Sequence, residues 1–204
     1  SRNTAIGYGA LLYNNADNNT AMGFASLLAN TTGANNSAFG YRALRYNTTG
    51  ANNVAFGFRS LSSNTIGYNN SAFGYDSLKS NTTGTYNTAI GFGTLASTTT
   101  GSFNSAVGHG ALLSNAAGNN NSAFGYKSLR YNTTGGQNTA IGHNALLNNT
   151  IGEGNSAVGH RSLSSNTTGS ANTAVGYQSM YNNTFGKYNV AVGYNALFNN
   201  TTGS

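Results

Sequence analysis

The sequence has no cysteine, no proline and no tryptophan, and very few charged side chains. Without cysteine the chain has no disulfides, no thiolate metal ligands and no cysteine nucleophiles. Charged residues make up 6% of its 204 residues, about a quarter of the usual share, which is atypical of a soluble enzyme surface. Disordered chains combine low hydrophobicity with high charge and proline, whereas 38% of this chain is apolar. The composition therefore excludes a disordered linker and indicates a packed structure.

The chain also lacks long apolar runs and a leader segment. No stretch approaches the roughly 18 apolar residues of a membrane span. The first residues do not show the basic, apolar and small-residue order of a signal peptide. We therefore expect a soluble, mature or excised segment with no direct membrane insertion.

What the sequence contains is one motif, repeated twelve times. The pentad Asn, Thr/Ser/Val, Ala, apolar residue, Gly recurs every 17 residues, apart from a first interval of 16. Each repeat opens with an asparagine: Asn3, Asn19, Asn36, Asn53, Asn70, Asn87, Asn104, Asn121, Asn138, Asn155, Asn172 and Asn189. Such a period is typical of a solenoid. We predict a single repeat domain over residues 1–204, without a separate catalytic domain, as a segment of a longer fibrous protein.

Numbered from that asparagine, the first six positions predict a strand. Position 3 is Ala and position 5 is Gly in every repeat, position 4 is Ile, Val, Phe or Met, and position 6 is Tyr, Phe or His. Alternation over positions 2 to 6 places Ala and Gly on one face of the strand. Positions 4 and 6 face the other way and are also apolar, so that face is expected to meet another layer or another chain. This pattern favours a homo-oligomer.

Later positions supply a core anchor and the corners of each coil. Position 9 is Leu in eleven repeats and Met180 in the remaining one, which predicts one buried side chain per repeat. The Asn of position 12 and the Gly of position 15 are predicted to make turns through positive φ angles. Stacked asparagines at positions 1 and 12 are predicted to form amide ladders.

A short helix over positions 7 to 14 is the local alternative. Eight residues rich in Ser, Asn and Thr are poor helix formers, so extended structure is favoured there. The predicted fold class is all-β, a parallel β-solenoid (β-roll) of twelve 17-residue rungs.

No arrangement of residues indicates catalysis, a cofactor or a metal site. Three histidines share position 6: His109, His143 and His160. We interpret them as members of an aromatic ladder rather than as metal ligands, because the chain has no cysteine and few acids. Its acids are Asp17, Asp76 and Glu153. At spacings of about four rungs they lie about 19 Å apart, too far for a paired-carboxylate site.

Seven of the nine basic residues fall in two columns, and the whole chain has a net charge of +6. Position 7 carries Arg42, Arg59, Lys127 and Arg161, and position 10 carries Arg45, Lys79 and Arg130. A basic stripe can attract polyanions, but this charge is spread over many rungs, so no nucleic-acid partner is predicted.

Two repeats combine tyrosine with basic residues in a way that suits sugars, since rings stack on sugar faces and guanidinium groups bond acidic substituents. Plain repeat duplication is the alternative explanation. The candidate glycan-contact residues are Tyr41, Arg42, Arg45, Tyr46, Tyr126, Lys127, Arg130 and Tyr131.

Threonine pairs at positions 13 and 14 suggest an ice-binding face. Adjacent residues of an extended segment point in opposite directions, so each face would receive one threonine per rung. Five apolar residues also interrupt position 14: Ala16, Ile66, Ala117, Ile151 and Phe185.

The pentad resembles repeats of a known family. Asn87-Thr-Ala-Ile-Gly91 and Asn155-Ser-Ala-Val-Gly159 are similar to the head repeats of trimeric autotransporter adhesins. The unit Asn172-Thr-Ala-Val-Gly-Tyr-Gln-Ser-Met, with Asn166-Thr-Thr-Gly before it, also resembles repeats of large bacterial surface proteins and phage-type tail fibres. The resemblance implies a left-handed parallel β-roll, a homotrimer and a place on the cell surface or virion exterior. The 17-residue unit and its aromatic position 6 depart from the adhesin pattern.

The function predicted from these observations is that of a structural or adhesive fibre segment in an extracellular adhesin or tail fibre, without catalysis. The expected partners are further copies of the chain, with a host-surface glycan or other surface receptor as a candidate. Two alternatives remain open, namely a subunit that polymerises into a structural filament and an ice- or glycan-binding repeat module.

Overall fold

The protein is an all-β solenoid in a computed structural model that describes residues 2–203. One three-residue strand per repeat gives twelve parallel strands in about 11 turns. The predicted parallel β-solenoid is therefore confirmed. The chain divides into two compact units, Ser1–Phe103 (unit 1) and Asn104–Ser204 (unit 2), and the single-domain interpretation stays a prediction. Residues 2–203 contain no helix long and apolar enough to cross a membrane.

Each unit holds six strands in sequence order. Unit 1 contains β1 (Thr4–Ile6), β2 (Thr20–Met22), β3 (Ser37–Phe39), β4 (Val54–Phe56), β5 (Ser71–Phe73) and β6 (Thr88–Ile90). Unit 2 contains β7 (Ser105–Val107), β8 (Ser122–Phe124), β9 (Thr139–Ile141), β10 (Ser156–Val158), β11 (Thr173–Val175) and β12 (Val190–Val192). Within each unit the pairing is parallel and in register, so that Ala38 lies opposite Ala55 and Ala123 opposite Ala140.

The strands cover positions 2 to 4 of the repeat, which is shorter than the predicted positions 2 to 6. The glycine of position 5 ends them, because its φ angle lies near +130°, for example +128° at Gly40. L-residues rarely adopt this conformation. A Cβ on Gly40 would also stand 2.5 Å from the carbonyl oxygen of Gly57 in the next rung. Backbone geometry and close approach both require glycine at this position.

The apolar part of the interior comes mainly from two of the predicted columns. The alanine of position 3 is fully buried in repeats 2 to 11, and the leucine of position 9, with Met180, is fully buried over the same repeats. Ala and Leu therefore close the space inside the coil, as predicted. The side chains of positions 4 and 6 are not part of this core.

Positions 6 to 11 form consecutive turns rather than a helix or a strand. The amide of Ala43 donates to the carbonyl of Gly40 (3.4 Å), and the amide of Asn47 donates to the carbonyl of Leu44 (3.1 Å). Positive φ angles at positions 7 and 9, 57° at Arg42 and 50° at Leu44, make this path possible. Rung-to-rung backbone hydrogen bonds continue through the turns, as from Leu44 N to Ser60 O at 3.0 Å. The prediction of extended structure was wrong here.

The asparagine ladders of positions 1 and 12 are confirmed. In unit 1, Asn47 Nδ2 donates to Asn30 Oδ1 at 2.7 Å and to the carbonyl of Gly50 at 2.8 Å. Asn36 Nδ2, in the other ladder, donates to the same carbonyl of Gly50 at 2.8 Å. In unit 2, Asn149 Nδ2 donates to Asn132 Oδ1 at 2.8 Å. Each ladder thus satisfies buried amides and carbonyls along the coil.

The prediction that positions 12 and 15 turn the chain through positive φ was wrong. Positive φ falls on positions 7, 9 and 17, and on the glycine of position 5, in the described repeats. Position 15 is glycine because of crowding. A Cβ on Gly50 would stand 2.5 Å from Asn47 Oδ1 and 2.8 Å from Asn64 Nδ2. Glycine is therefore the only residue that lets both ladders reach its carbonyl.

Candidate interaction surface

The side chains of positions 4 and 6 form an exposed column pair, which we call the aromatic stripe. Both positions lie outside the core, and none of their described side chains is buried. Phe56 of position 4, for example, is 53% exposed. Unit 1 carries Tyr8, Phe24, Tyr41, Phe58, Tyr75 and Phe92 at position 6, and unit 2 carries His109, Tyr126, His143, His160, Tyr177 and Tyr194. Contiguous apolar surface of this kind is unusual on a monomer, and large exposed apolar patches typically mark interaction sites.

The rings of position 6 stack on one another along each unit. In unit 1 the centroids of Tyr41 and Phe58 lie 5.0 Å apart with planes inclined by 9°. In unit 2 the centroids of His143 and His160 lie 5.0 Å apart at 13°. Rung-to-rung pairing fixes this spacing, because equivalent residues of neighbouring rungs lie at the strand separation. The rings consequently cover each other's faces and present mainly their edges outward.

The histidines take their places in this stack. His109 stacks on Tyr126 at 5.4 Å, and Tyr126 stacks on His143 at 5.0 Å. Their interpretation as ladder members is thus confirmed. Among residues 2–203 no group of three His, Cys, Asp or Glu side chains is placed to hold a metal ion.

Cations of position 7 lie over the rings that precede them. Arg42 lies 4.8 Å from the ring centre of Tyr41, and Lys127 lies 4.8 Å from that of Tyr126. Such cation–π contacts hold the charged side chain along the stripe. The stripe therefore has a basic margin where position 7 carries Arg or Lys.

One carboxylate interrupts the basic columns of unit 1. Arg59 Nε donates to Asp76 Oδ1 at 2.8 Å, and Arg59 Nη2 donates to Asp76 Oδ2 at 2.6 Å. Lys79 Nζ lies 3.8 Å from Asp76 Oδ2. The hydrogen bond to the Asp76 carboxylate raises the pKa of the Arg59 guanidinium above its ordinary value. Asp76 therefore offsets part of the positive charge of Arg59 and Lys79, two members of the basic columns.

The eight candidate glycan-contact residues fall into four ring–cation pairs. Besides the pairs of Tyr41 and Tyr126, Arg45 lies 4.9 Å from the ring centre of Tyr46, and Arg130 lies 5.6 Å from that of Tyr131. Tyr41 is stacked on both sides, by Phe24 and Phe58. A sugar would meet its edge rather than its face. The glycan-contact assignment itself stays a prediction.

The tyrosines of position 11 offer more to a ligand than those of position 6. Tyr46 and Tyr131 are about half exposed, and the residues one rung away from Tyr46 in the same column are Ala29 and Ser63. Buried Nε atoms of Arg45 and Arg130 have no hydrogen-bond partner. Among the candidate glycan-contact residues, the pairs Arg45–Tyr46 and Arg130–Tyr131 are therefore the ones whose ring lies outside the aromatic stack.

The threonine columns do not form a double outward row. Thr31 Oγ1 donates to the carbonyl of Thr48 at 2.9 Å, and Thr133 Oγ1 donates to that of Thr150 at 3.0 Å. The hydroxyl groups of position 13 are thus engaged with the backbone of the next rung. One outward column remains at position 14, where Ile66 and Ile151 interrupt it. This geometry weakens the ice-binding alternative.

Sequence reasoning missed a second aromatic group, at positions 16 and 17 of unit 1. Tyr68 lies at position 16, and Tyr86 and Phe103 lie at position 17 in the two following repeats. We call these three residues the corner cluster. These positions elsewhere carry mostly Asn, Ser, Ala or Gly, so three aromatic residues in consecutive repeats were a signal available in the sequence.

Unit 2 has a shallow polar cavity in the same columns. Its volume is about 220 Å³, and Asn119, Asn120, Thr134, Gly136, Gln137 and Glu153 line it. Gly136, one of the lining residues, lies in the same column as Tyr68 of unit 1 and has no side chain. Comparisons of the chain with protein-family models, with curated proteins and with solved structures return no match.

Proposed function

We propose that the chain is a structural and adhesive segment of an extracellular fibre, such as a surface adhesin or tail fibre, in which three copies associate through the aromatic stripe. The observation that carries this proposal is that no described side chain of positions 4 and 6 is buried. The core is already closed by position 3 and position 9, so the stripe has no internal role. Burying it against other copies removes the apolar surface from water.

The repetitive build suits such a role. Within each unit, rungs bond to their neighbours through the backbone and through asparagine ladders, so stability accumulates by nearest-neighbour stacking. A stripe repeated at the strand spacing can be matched rung by rung with the stripe of an identical chain. Length is then set by the number of repeats, which is the property a fibre needs.

Light scattering on the purified chain tests the assembly. We expect a particle of three 21.0 kDa chains. The double variant Phe56→Asn, Phe73→Asn removes two exposed stripe residues, and we expect it to shift the particle toward the monomer while circular dichroism remains unchanged. Tyr46→Asn is the matched control, because it removes a half-exposed ring outside the stripe.

Two results would overturn the assembly proposal. One is a monomer at all concentrations, and the other is a trimer that the double variant leaves intact. Growth into micrometre fibres as concentration rises would instead support the filament alternative. Antibody labelling of intact producing cells or virions tests the exterior location, and signal seen only after permeabilisation would contradict it.

A further inference from the structure

We propose that the corner cluster of unit 1, Tyr68, Tyr86 and Phe103, is a binding site for uncharged glycans. This inference goes beyond the fibre assignment and does not depend on it, because the cluster lies in other columns than the aromatic stripe. It is supported by ring geometry, by exposure, by the absence of charged residues from the three segments 65–69, 82–86 and 99–103, and by the conformation of position 17.

Ring geometry distinguishes this cluster from the position 6 stack. Tyr86 and Phe103 stack with centroids 5.0 Å apart and planes inclined by 6°. Tyr68 meets Tyr86 edge to face at 5.4 Å and 76°. The plane of the Tyr68 ring is therefore nearly perpendicular to the stacked planes of Tyr86 and Phe103. No ring of the described residues stacks on the face of Tyr68. The cluster thus combines a ring face with two adjacent ring edges.

All three rings are accessible. Tyr68 is 44% exposed, Tyr86 45% and Phe103 55%. The apolar C–H face of a pyranose packs on an exposed aromatic face, while its hydroxyl groups remain available for hydrogen bonds. Tyrosine serves this purpose well because it has an apolar body and a polar tip.

Polar groups without charge surround the rings. Residues 65–69, 82–86 and 99–103 include no Asp, Glu, Lys or Arg. Thr83 and Thr100 are exposed at position 14, and Thr85 Oγ1 lies 3.4 Å from Ser102 Oγ. Aromatic faces together with hydroxyl groups match a neutral sugar, whereas an acidic glycan would find no cation in these three segments.

The conformation of position 17 shows that the fold does not require an aromatic ring there. Tyr86 and Phe103 have φ angles of 56° and 59°, in the left-handed region that bulky residues disfavour and asparagine tolerates. Asparagine occupies position 17 in the first four repeats. Leu44 at position 9 shares this conformation, but its side chain is fully buried. The corner rings are not buried in this way.

The cluster is also too short to be a contact between copies of the chain. It spans three rungs, about 10 Å at the strand spacing, whereas a stable protein interface needs about 800 Å² per partner. Outside these rungs positions 16 and 17 of unit 1 are Asp17, Ala34 and Ala51, and Asn18, Asn35 and Asn52. An oligosaccharide fits this length, so we commit to a glycan rather than a second chain.

Affinity electrophoresis of the full chain tests the site, in native gels containing glycogen, galactomannan, xyloglucan or hydroxyethylcellulose as neutral probes and polygalacturonate as an acidic probe. We expect retardation by at least one neutral probe. Tyr86→Asn and Phe103→Asn should each lower the association constant about 3- to 10-fold, the range expected for loss of one ring contact. Both variants should keep the melting temperature, because asparagine fits position 17.

Tyr188→Asn in unit 2 is the matched control. Tyr188 occupies the same column with a φ angle of 59° and is 77% exposed, but it has no ring partner among the described residues. We expect this variant to bind like the parent chain. Retardation by no neutral probe, retardation by the acidic probe alone, or full binding in the Tyr86→Asn, Phe103→Asn double variant would each overturn the proposal. A trimer that binds no neutral glycan would overturn this site and leave the fibre assignment standing.

Discussion

Units 1 and 2 have the same buried columns and differ in their exposed side chains. In both, buried alanine, leucine and asparagine columns join each rung to the next. In unit 1 position 6 is Tyr or Phe throughout and position 17 carries stacked rings. In unit 2 three histidines enter position 6, and the corner columns enclose a polar cavity beside Glu153. Contacts to neighbouring rungs therefore fix the inner columns, whereas the outer columns are free to differ.

The glycine of position 15 gives the largest expected effect, and it should be equal in the two units. Gly50→Ala in unit 1 and Gly135→Ala in unit 2 each force a Cβ against an asparagine Oδ1, at 2.5 and 2.6 Å. We expect each to lower the free energy of unfolding by about 3 kcal/mol or more, because both ladders lose their shared carbonyl. Denaturant unfolding measures this loss.

Gly154→Ala is the control for these glycine variants. Its added Cβ would meet nothing closer than 4.0 Å, and Ala171 already occupies the same column at a φ angle of 55°. We expect a change below about 1 kcal/mol. A loss confined to one of the two units would show that their frames are not equivalent.

The second prediction concerns a gap in one ladder of unit 1. Thr98 replaces asparagine at position 12, and both Thr98 Oγ1 and Asn81 Oδ1 are buried without a partner. Thr98→Asn should let a new amide donate to Asn81 Oδ1, as equivalent amides do in unit 2. We expect a gain of about 1 kcal/mol in the free energy of unfolding. Thermal unfolding measures it, with the exposed Thr100→Asn as a neutral control; an unchanged Thr98→Asn variant would contradict the ladder's contribution.

The third prediction makes position 6 of unit 2 more like that of unit 1. His160 Nδ1 is buried without a hydrogen-bond partner, and the ring stacks between His143 and Tyr177. His160→Phe keeps the stack and removes the unsatisfied nitrogen, so we expect a gain of about 0.5 to 1 kcal/mol. Denaturant unfolding of His160→Phe and of His143→Phe measures the two changes in stability. His143→Phe is the control, because Nδ1 of His143 is not a buried atom without a partner. Destabilisation would show that the imidazole is needed there.

The smallest expected effect concerns the ion pair of position 7. Asp76→Asn in unit 1 removes the partner of Arg59 and Lys79, and Asn144→Asp places a carboxylate between the Lys127 and Arg161 rungs of unit 2. We expect a slight loss of stability in the first variant and a slight gain in the second, since partly exposed pairs contribute little. Both differences should vanish in about 1 M salt, where the Debye length falls to about 3 Å. Melting curves at low and high salt measure them; effects that persist in high salt would contradict a screened pair.

Much of the frame could be predicted from residue columns. A 17-residue period predicts stacked rungs, invariant Ala and nearly invariant Leu predict the interior, and asparagine rows predict ladders. Each of these follows from placing like residues one strand spacing apart. The turns could not be predicted in the same way, because they depend on which of several tolerant residues takes a positive φ angle. Arg42 and Leu44 do so, while Asn47 does not.

The candidate sites were less predictable for a related reason. Tyr41 and Tyr46 look equivalent in the sequence, since each precedes or follows an arginine. The fold stacks Tyr41 between two rings and leaves Tyr46 outside the stack. Tyr68 likewise gave no sign of a ring turned by 76° from its neighbour. Ring accessibility depends on the neighbouring rungs, which a single repeat does not contain.

The sequence by itself determined the period, the parallel register and the residues of the core, because repetition places identical residues against one another and only small or apolar side chains fit inside a narrow coil. Tertiary structure alone decided which glycines are required for their positive φ angle and which are required because a neighbouring rung leaves no room for a Cβ atom. It also decided which aromatic rings cover one another and which remain open to a ligand. These outcomes depend on distances of a few ångströms between side chains 17 residues apart, and such distances exist only once the rungs are stacked.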